Sequence, residues 1–204
     1  MLIGFGFLSL PADAVHRTPR AVSMAAVPGR VLNVFQSDDF PADWPYTADD
    51  LMRIDESPDF NFYSEPRFVT HIDDGAIQSI TQYYRESLSP NDDVLDICSS
   101  WISHLPAELP LGRVAGLGMN ARELENNQRL TEWTQRDLNV EPALPYDDES
   151  FDACLNVVSV DYLTKPKELF AEMHRVLKPG GQAIMSFSNR CAVVSNPQIR
   201  RPGP

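Results

Sequence analysis

The feature that most constrains the fold is an alternation of short apolar runs with helical patterns between residues 74 and 189. Residues 74–88 repeat apolar side chains at helical spacing, and residues 89–92 (Ser-Pro-Asn-Asp) end that helix. Residues 166–177 form a second amphipathic pattern, followed by Lys-Pro-Gly-Gly at 178–181, whose glycines permit a left-handed helix end. A shorter helix is predicted over 121–128, and apolar runs predict strands over 94–97, 113–118, 151–158 and 182–188. The alternation leaves room for a further short strand at 135–137. Strands alternating with helices predict an α/β fold with a mostly parallel sheet.

Composition excludes several classes of protein. The 204 residues, 43% hydrophobic, suffice for one domain with a buried core. The net charge of −12 argues against binding the phosphate backbone of nucleic acid. No apolar run reaches the length of a membrane span. The three cysteines form no CxxC pair and the four histidines are scattered, so the sequence predicts neither a disulfide framework nor a metal site.

The two ends of the chain differ from its middle. Residues 2–10 (LIGFGFLSL) have the length of the apolar part of a secretion signal, and an A-x-A cleavage pattern ends at Ala14. The basic residues expected before such a run are missing, so either Met1 is internal to a longer precursor or the match is accidental. We predict that 1–36 is a disordered targeting or linker segment outside the packed domain, and that the proline-rich 191–204 is a disordered tail.

Four segments occur in an order typical of one family: NDDVLDICSSWISHLP, RVAGLGMN, RDLN…LPYDDESFDACLNVV and ELFAEMHRVLKPGGQAIMSFSN. They resemble the successive motifs of class I S-adenosylmethionine-dependent methyltransferases, and most of all the type-11 group and its plant and algal chloroplast members. The resemblance covers about residues 62–190. It implies a Rossmann-like methyltransferase domain over 74–190, a lid or substrate segment over 37–73, S-adenosylmethionine as cofactor and a chloroplast location.

The family's first strand ends in a D-x-G-x-G-x-G loop whose glycines let the main chain approach the cofactor. The matching positions here are Asp96, Cys98, Ser100 and Ile102. Cys98 and Ser100 are small enough to admit a cofactor, whereas the β-branched Ile102 resists a positive φ. The alternative is a strand-to-helix turn that has lost its ligand.

The resemblance assigns cofactor contacts to five further residues. Gly118 stands where the family has the acid that binds the ribose hydroxyls, so we expect Gly118→Asp to strengthen cofactor binding. Asn120 offers a neutral acceptor, or is simply a helix N-cap. Asp137 matches the acceptor of the adenine amino group and Leu138 the lining of the ring, unless Asp137 is a surface turn residue. Asn156 matches a polar cofactor contact.

The resemblance gives no dedicated catalytic group. Methyl transfer needs alignment and exclusion of water more than a triad, because the cofactor carries the reactive group. Candidate residues of the substrate pocket are Tyr63, Arg67, which suits a carboxylate, and His71, which suits proton removal. A structural role for His71 is the alternative.

These residues predict a methyltransferase that acts on a small molecule. The alternative is a catalytically dead methyltransferase fold kept as a binding or assembly module. The family adds two strands after the one predicted at 182–188, whereas prolines in the remainder of this chain forbid such a hairpin. We therefore expect a sheet that lacks the last two strands, with 182–188 bare or covered by the N-terminal segment, and a truncated form that is inactive alone.

Overall fold

The computed structural model describes residues 5–11, 43–53 and 55–188. Its six strands are β1 (Phe5–Pro11), β2 (Val94–Ile97), β3 (Val114–Gly118), β4 (Glu132–Gln135), β5 (Phe151–Val157) and β6 (Leu177–Ser188). The α-helices are α1 (Asp59–Tyr63), α2 (Asp74–Ser87), α3 (Ala121–Asn126) and α4 (Pro166–Val176), and two short 3₁₀ helices span Asp49–Leu51 and Val160–Tyr162.

The strands form one sheet in the order β1-β6-β5-β2-β3-β4. Strands β2 to β6 pair in parallel and β1 pairs antiparallel with β6. The predicted α/β, Rossmann-like, mostly parallel sheet is confirmed. From β2 the chain builds outward through β3 and β4, and then it crosses back to place β5 on the other side of β2. The carboxyl ends of β2 and β5 therefore border the crevice where open α/β sheets bind ligands.

Both faces of the central strands β2, β3 and β5 are buried. On one face, side chains of β2 and β3 such as Leu95 and Leu117 pack with Leu169 and Met173 of α4. On the other face, Val94, Val114 and Leu155 pack with Ile80 and Tyr84 of α2. This double burial explains why the strands read as continuous apolar runs rather than as alternating patterns.

The observed elements differ from the sequence pattern mainly at their ends. The third parallel strand lies at Glu132–Gln135 rather than at 135–137, and α3 ends at Asn126 instead of reaching 128. Strand β6 begins at Leu177, which pairs with Phe151; an irregularity then interrupts the pairing, which resumes between Ala153 and Gln182. Gly180 adopts φ 79° there, the left-handed conformation predicted for these glycines.

The N-terminal prediction is wrong for one segment. Phe5–Pro11 belong to the sheet and pair along β6 from Ser188 to Gln182, although 1–36 was expected to lie outside the domain. The edge of β6 presents unpaired main-chain groups, and a strand laid along it satisfies them. The N-terminal segment thus covers the strand that the sequence left open. The rest of 1–36, the start of the 37–73 segment and the predicted tail at 191–204 lie outside the described residues.

Candidate functional site

The loop after β2 is left-handed at Cys98, the first position where the resemblance expects a glycine. Cys98 adopts φ 58°, a left-handed conformation that costs a side-chain-bearing residue about 1–2 kcal/mol. His104, at φ 52°, is the other left-handed residue of this loop, so the strain does not fall on Ile102. Directly after Cys98, the main-chain N–H of Ser99 donates to the carbonyl of Leu117 at 2.8 Å, which draws the loop across the end of β3.

Asp96 serves the fold rather than an open pocket. It is 3% exposed, and one of its carboxylate oxygens accepts hydrogen bonds from the hydroxyls of Ser99 (2.7 Å) and Ser103 (2.6 Å). Asn127 donates in turn to the Ser103 hydroxyl at 2.7 Å. Burial raises the pKa of Asp96 to about 6, against the lowering effect of the two hydroxyls. Asp96 thus belongs to a buried polar network that holds the loop, and its cofactor contact stays a prediction.

The end of β3 has no room for an acid. A Cβ added to Gly118 would lie 2.1 Å from the carbonyl oxygen of Ser99, which is main chain and unable to turn aside. The loop after β2 occupies the place that the new carboxylate needs, so the structure argues against the expectation that Gly118→Asp strengthens binding.

Asn120 joins α3 to the segment 59–69, which we call the lid. Its side-chain oxygen accepts from the N–H of Glu123 at 3.2 Å, so it is the N-cap of α3, as the alternative interpretation held. Its amide also donates to the carbonyl of Tyr63 at 2.8 Å. The lid is held again at the β2 loop, where the indole of Trp101 donates to the carbonyl of Val69 at 3.1 Å.

The three candidate pocket residues have different surroundings. Burial raises the pKa of Tyr63 to about 12, with smaller contributions from nearby Cys98, Asp59 and Glu123. Arg67 turns its guanidinium onto the ring of Phe62, 3.8 Å from the centroid, and offers the site only its main-chain N–H. His71 is exposed, and among the described residues no hydrogen bond or ion pair ties it to the strand ends.

The third motif is largely structural. One carboxylate oxygen of Asp137 accepts from the main-chain N–H groups of Asn139 (2.9 Å) and Val140 (3.3 Å), as a turn residue does. Leu138 is 5% exposed and packs in the core beneath the sheet, which leaves little of it to line a ring. Asp137 also borders a groove of about 660 Å³ formed with residues 44–59 and the start of α4.

Asn156 lies at the crevice between β2 and β5. It is 2% exposed, and its amide donates to the carbonyl of Ile97 at 3.2 Å. Its side-chain oxygen is buried with no hydrogen-bond partner among the described residues. Neighbouring Cys98 is partly buried, and burial raises the pKa of its thiol to about 12, partly opposed by a hydrogen bond from Asn156. The crevice thus holds a neutral thiol and an unsatisfied acceptor.

The sequence analysis missed Glu123. Its carboxylate is buried and accepts from the hydroxyl of Ser100 at 2.5 Å and from the N–H of Arg67 at 2.7 Å. The spacing Asn120-x-x-Glu123 is a signal, but it indicates a capping box, in which the glutamate bonds back to its own helix start. Here the carboxylate reaches two other segments instead.

Comparison with known proteins finds one family that matches the middle of the chain. Residues 95–185 match the family described as a methyltransferase domain. The match covers less than half of the 204 residues and runs from β2 into β6, the strands whose parallel arrangement gives this region a class I methyltransferase fold. It includes every residue of the crevice except those supplied by the lid.

The curated relatives match a shorter stretch. The bifunctional biotin-biosynthesis protein BioHC of Teredinibacter turnerae is 48% identical over 44 residues, which are 22% of this chain and 8% of that protein. An uncharacterized methyltransferase of Mycobacterium avium is 44% identical over 46 residues, 22% of this chain and 18% of its own length. The chain therefore spans less than a fifth of either relative in these matches.

Solved structures resemble the chain more distantly. An S-adenosylmethionine-dependent methyltransferase from Mesorhizobium loti is 21% identical, with a TM-score of 0.45 over 56% of this chain and 54% of that one. A Haloferax volcanii methyltransferase in complex with the activator Trm112 is 20% identical, with a TM-score of 0.41 over 56% and 57%. Across the described residues, no helix is long and apolar enough to cross a membrane, and no cluster of three or more His, Cys, Asp or Glu is suited to a metal ion.

Proposed function

We propose that this chain is part of an S-adenosylmethionine-dependent methyltransferase that acts on a small molecule. The observation that carries the proposal is the side-chain oxygen of Asn156, buried at the switch point of the sheet without a partner among the described residues. An unsatisfied buried acceptor costs about 1–3 kcal/mol, and a ligand N–H removes that cost. The amino group of the cofactor's methionine portion is such a donor.

The residues of the crevice fit the cofactor at the β2–β5 end. Cys98 reproduces the left-handed main chain of a glycine loop, and Asn156 supplies the open acceptor. The cofactor, when bound, supplies a methyl group on a sulfonium for displacement by a nucleophile. The chain's own part is to bind and orient it, with Tyr63 and the lid shielding the strand ends from water.

A small acceptor is favoured over a polymer by two features. The lid is fastened across the strand ends through Tyr63 and Val69, which restricts the approach of a large substrate. The net charge of −12 disfavours nucleic acid. Methyl-labelled cofactor mixed with the protein and a cell extract should label the small-molecule filtrate; label found only in macromolecules contradicts this part of the proposal. Chloroplast import stays a prediction of the sequence resemblance.

The second candidate is the degenerate binding or assembly module. The closed strand end at Gly118 favours it, because the usual ribose acceptor is missing and has no space. Calorimetry with S-adenosylmethionine separates the two functions. A micromolar dissociation constant, weakened about tenfold in Asn156→Ala and unchanged in the control Asn126→Ala on the exposed end of α3, supports the methyltransferase. No heat of binding at about 1 mM cofactor supports the module.

A further inference from the structure

Gly118 stands where the resemblance expects the acid that binds the ribose of the cofactor, so another residue must recognise that sugar. The site has a second carboxylate close by. Glu123 lies in the first turn of α3, five residues past the end of β3, and the neighbouring Leu124 packs against Gly118. The Glu123 carboxylate contacts Ser100 in the loop after β2, so it lies between the ends of the two strands that frame the family's ribose site.

Burying the carboxylate of Glu123 costs the fold free energy, so its burial calls for a functional explanation. It is 7% exposed, and no Lys, Arg or His among the described residues forms an ion pair with it. The nearest cationic residue in its contacts, Arg67, sends its guanidinium to Phe62 and gives Glu123 only a main-chain N–H. A buried carboxylate without a cation is costly unless hydrogen bonds stabilise it.

Its hydrogen-bonding capacity is not exhausted. A carboxylate has about four acceptor positions, and the described contacts use one on each oxygen of Glu123. The two O–H groups of a cis-diol could donate to the acceptor positions that remain free on the carboxylate. The crevice also shows an independent sign of a ligand, the unpartnered oxygen of Asn156. Asn156 donates to the carbonyl of Ile97 at the end of β2, and Glu123 accepts from Ser100, three residues further along the same loop, so both groups border the loop after β2.

We infer that Glu123, delivered from α3, recognises the ribose diol of the cofactor in place of the acid that the end of β3 lacks. The inference rests on the proposed function. It makes Glu123 a specificity-determining residue for nucleosides that carry free 2′- and 3′-hydroxyls. The Ser100 hydroxyl and the Arg67 N–H then hold the carboxylate in position from the loop and from the lid.

The test is calorimetry with S-adenosylhomocysteine and its 2′,3′-dideoxy analogue on the whole chain. The wild type should prefer the diol compound by about tenfold or more. Glu123→Gln should lose that preference, Glu123→Asp should keep part of it, and Glu125→Gln, an exposed glutamate on the same helix, should retain all of it. Circular dichroism verifies that each variant is folded.

The outcomes separate the two claims. A wild type that binds both compounds equally overturns the inference without recourse to any variant. A folded Glu123→Gln that still discriminates against the dideoxy analogue also overturns it, while leaving the proposed function intact. A wild type that binds neither compound at about 1 mM overturns the proposed function itself, and the role of Glu123 with it.

Discussion

Replacing Asp96 by asparagine should stabilise the protein at neutral pH and not at acidic pH. The side chain is 3% exposed, and burial raises its pKa from 3.8 to about 6. The folded state therefore binds a proton that the unfolded state releases between these two values. Stability falls as the pH rises through this window and stays low above it.

The magnitude follows from the size of the shift. About two pKa units at about 1.4 kcal/mol each give roughly 3 kcal/mol of unfavourable charge burial at pH 7. Asparagine removes the charge, and its carbonyl oxygen accepts the two serine hydroxyls as the carboxylate does. Part of the gain is offset because the new amide needs an acceptor, so we expect a net stabilisation of about 1–2 kcal/mol at pH 7.

Urea unfolding followed by tryptophan fluorescence measures the effect. The gain in the free energy of unfolding of Asp96→Asn over wild type should be about 2–3 kcal/mol larger at pH 7 than at about pH 4. Comparing the two proteins at each pH cancels the effect that pH has on the stability of both. Asp147→Asn, at an exposed aspartate, is the control and should show no such difference. Equal stability changes at the two pH values would refute the reasoning, because they would mean that the carboxylate is not desolvated.

Three further results are expected. Gly118→Ala should lower the free energy of unfolding by about 1–3 kcal/mol in a denaturant titration, because its Cβ meets the Ser99 carbonyl, whereas Gly75→Ala in α2 should not; equal stability of the two variants contradicts the closed strand end. Val158→Gly should raise the free energy of unfolding by up to about 1 kcal/mol, because a β-branched residue at φ 43° is strained. Val157→Gly within β5 should lower this free energy, and a lower value for both variants argues against strain at Val158. Cys98 and Cys154 should resist alkylation at pH 8 until the protein unfolds, because burial raises the pKa of both thiols; peptide mapping that finds native Cys98 modified would disprove this.

The parts of the fold that depend on local pattern were predictable. The helix at Pro166–Val176 follows from apolar residues at helical spacing, and the strand at Val94–Ile97 from a short apolar run after a proline-containing turn. The order of these segments indicated the class I fold, which the family match confirms. Strand β1 was missed because Phe5–Pro11 has no local feature that distinguishes an edge strand from a signal-like apolar run; the pairing with β6 defines it.

The site was harder to predict because it depends on the path of one loop. The sequence shows that Gly118 lacks a carboxylate, but not that the Ser99 carbonyl fills the same space. It places Asp96 at a strand end, but the serines that bind it are identified only once the loop turns inward. Glu123 has the spacing of a capping residue, and its direction towards Ser100 is a tertiary contact.

The pairing of β1 with β6 has a consequence for the order in which the molecule is assembled. Phe5 lies opposite Ser188 and Pro11 opposite Gln182, so the first described strand pairs with the last one. During synthesis β1 leaves the ribosome before the other described strands, and β2 to β5 are all translated before its partner β6. Contacts this distant along the chain form slowly. The edge of the sheet is therefore the last part to close, and until then both strands are exposed to pairing with other chains.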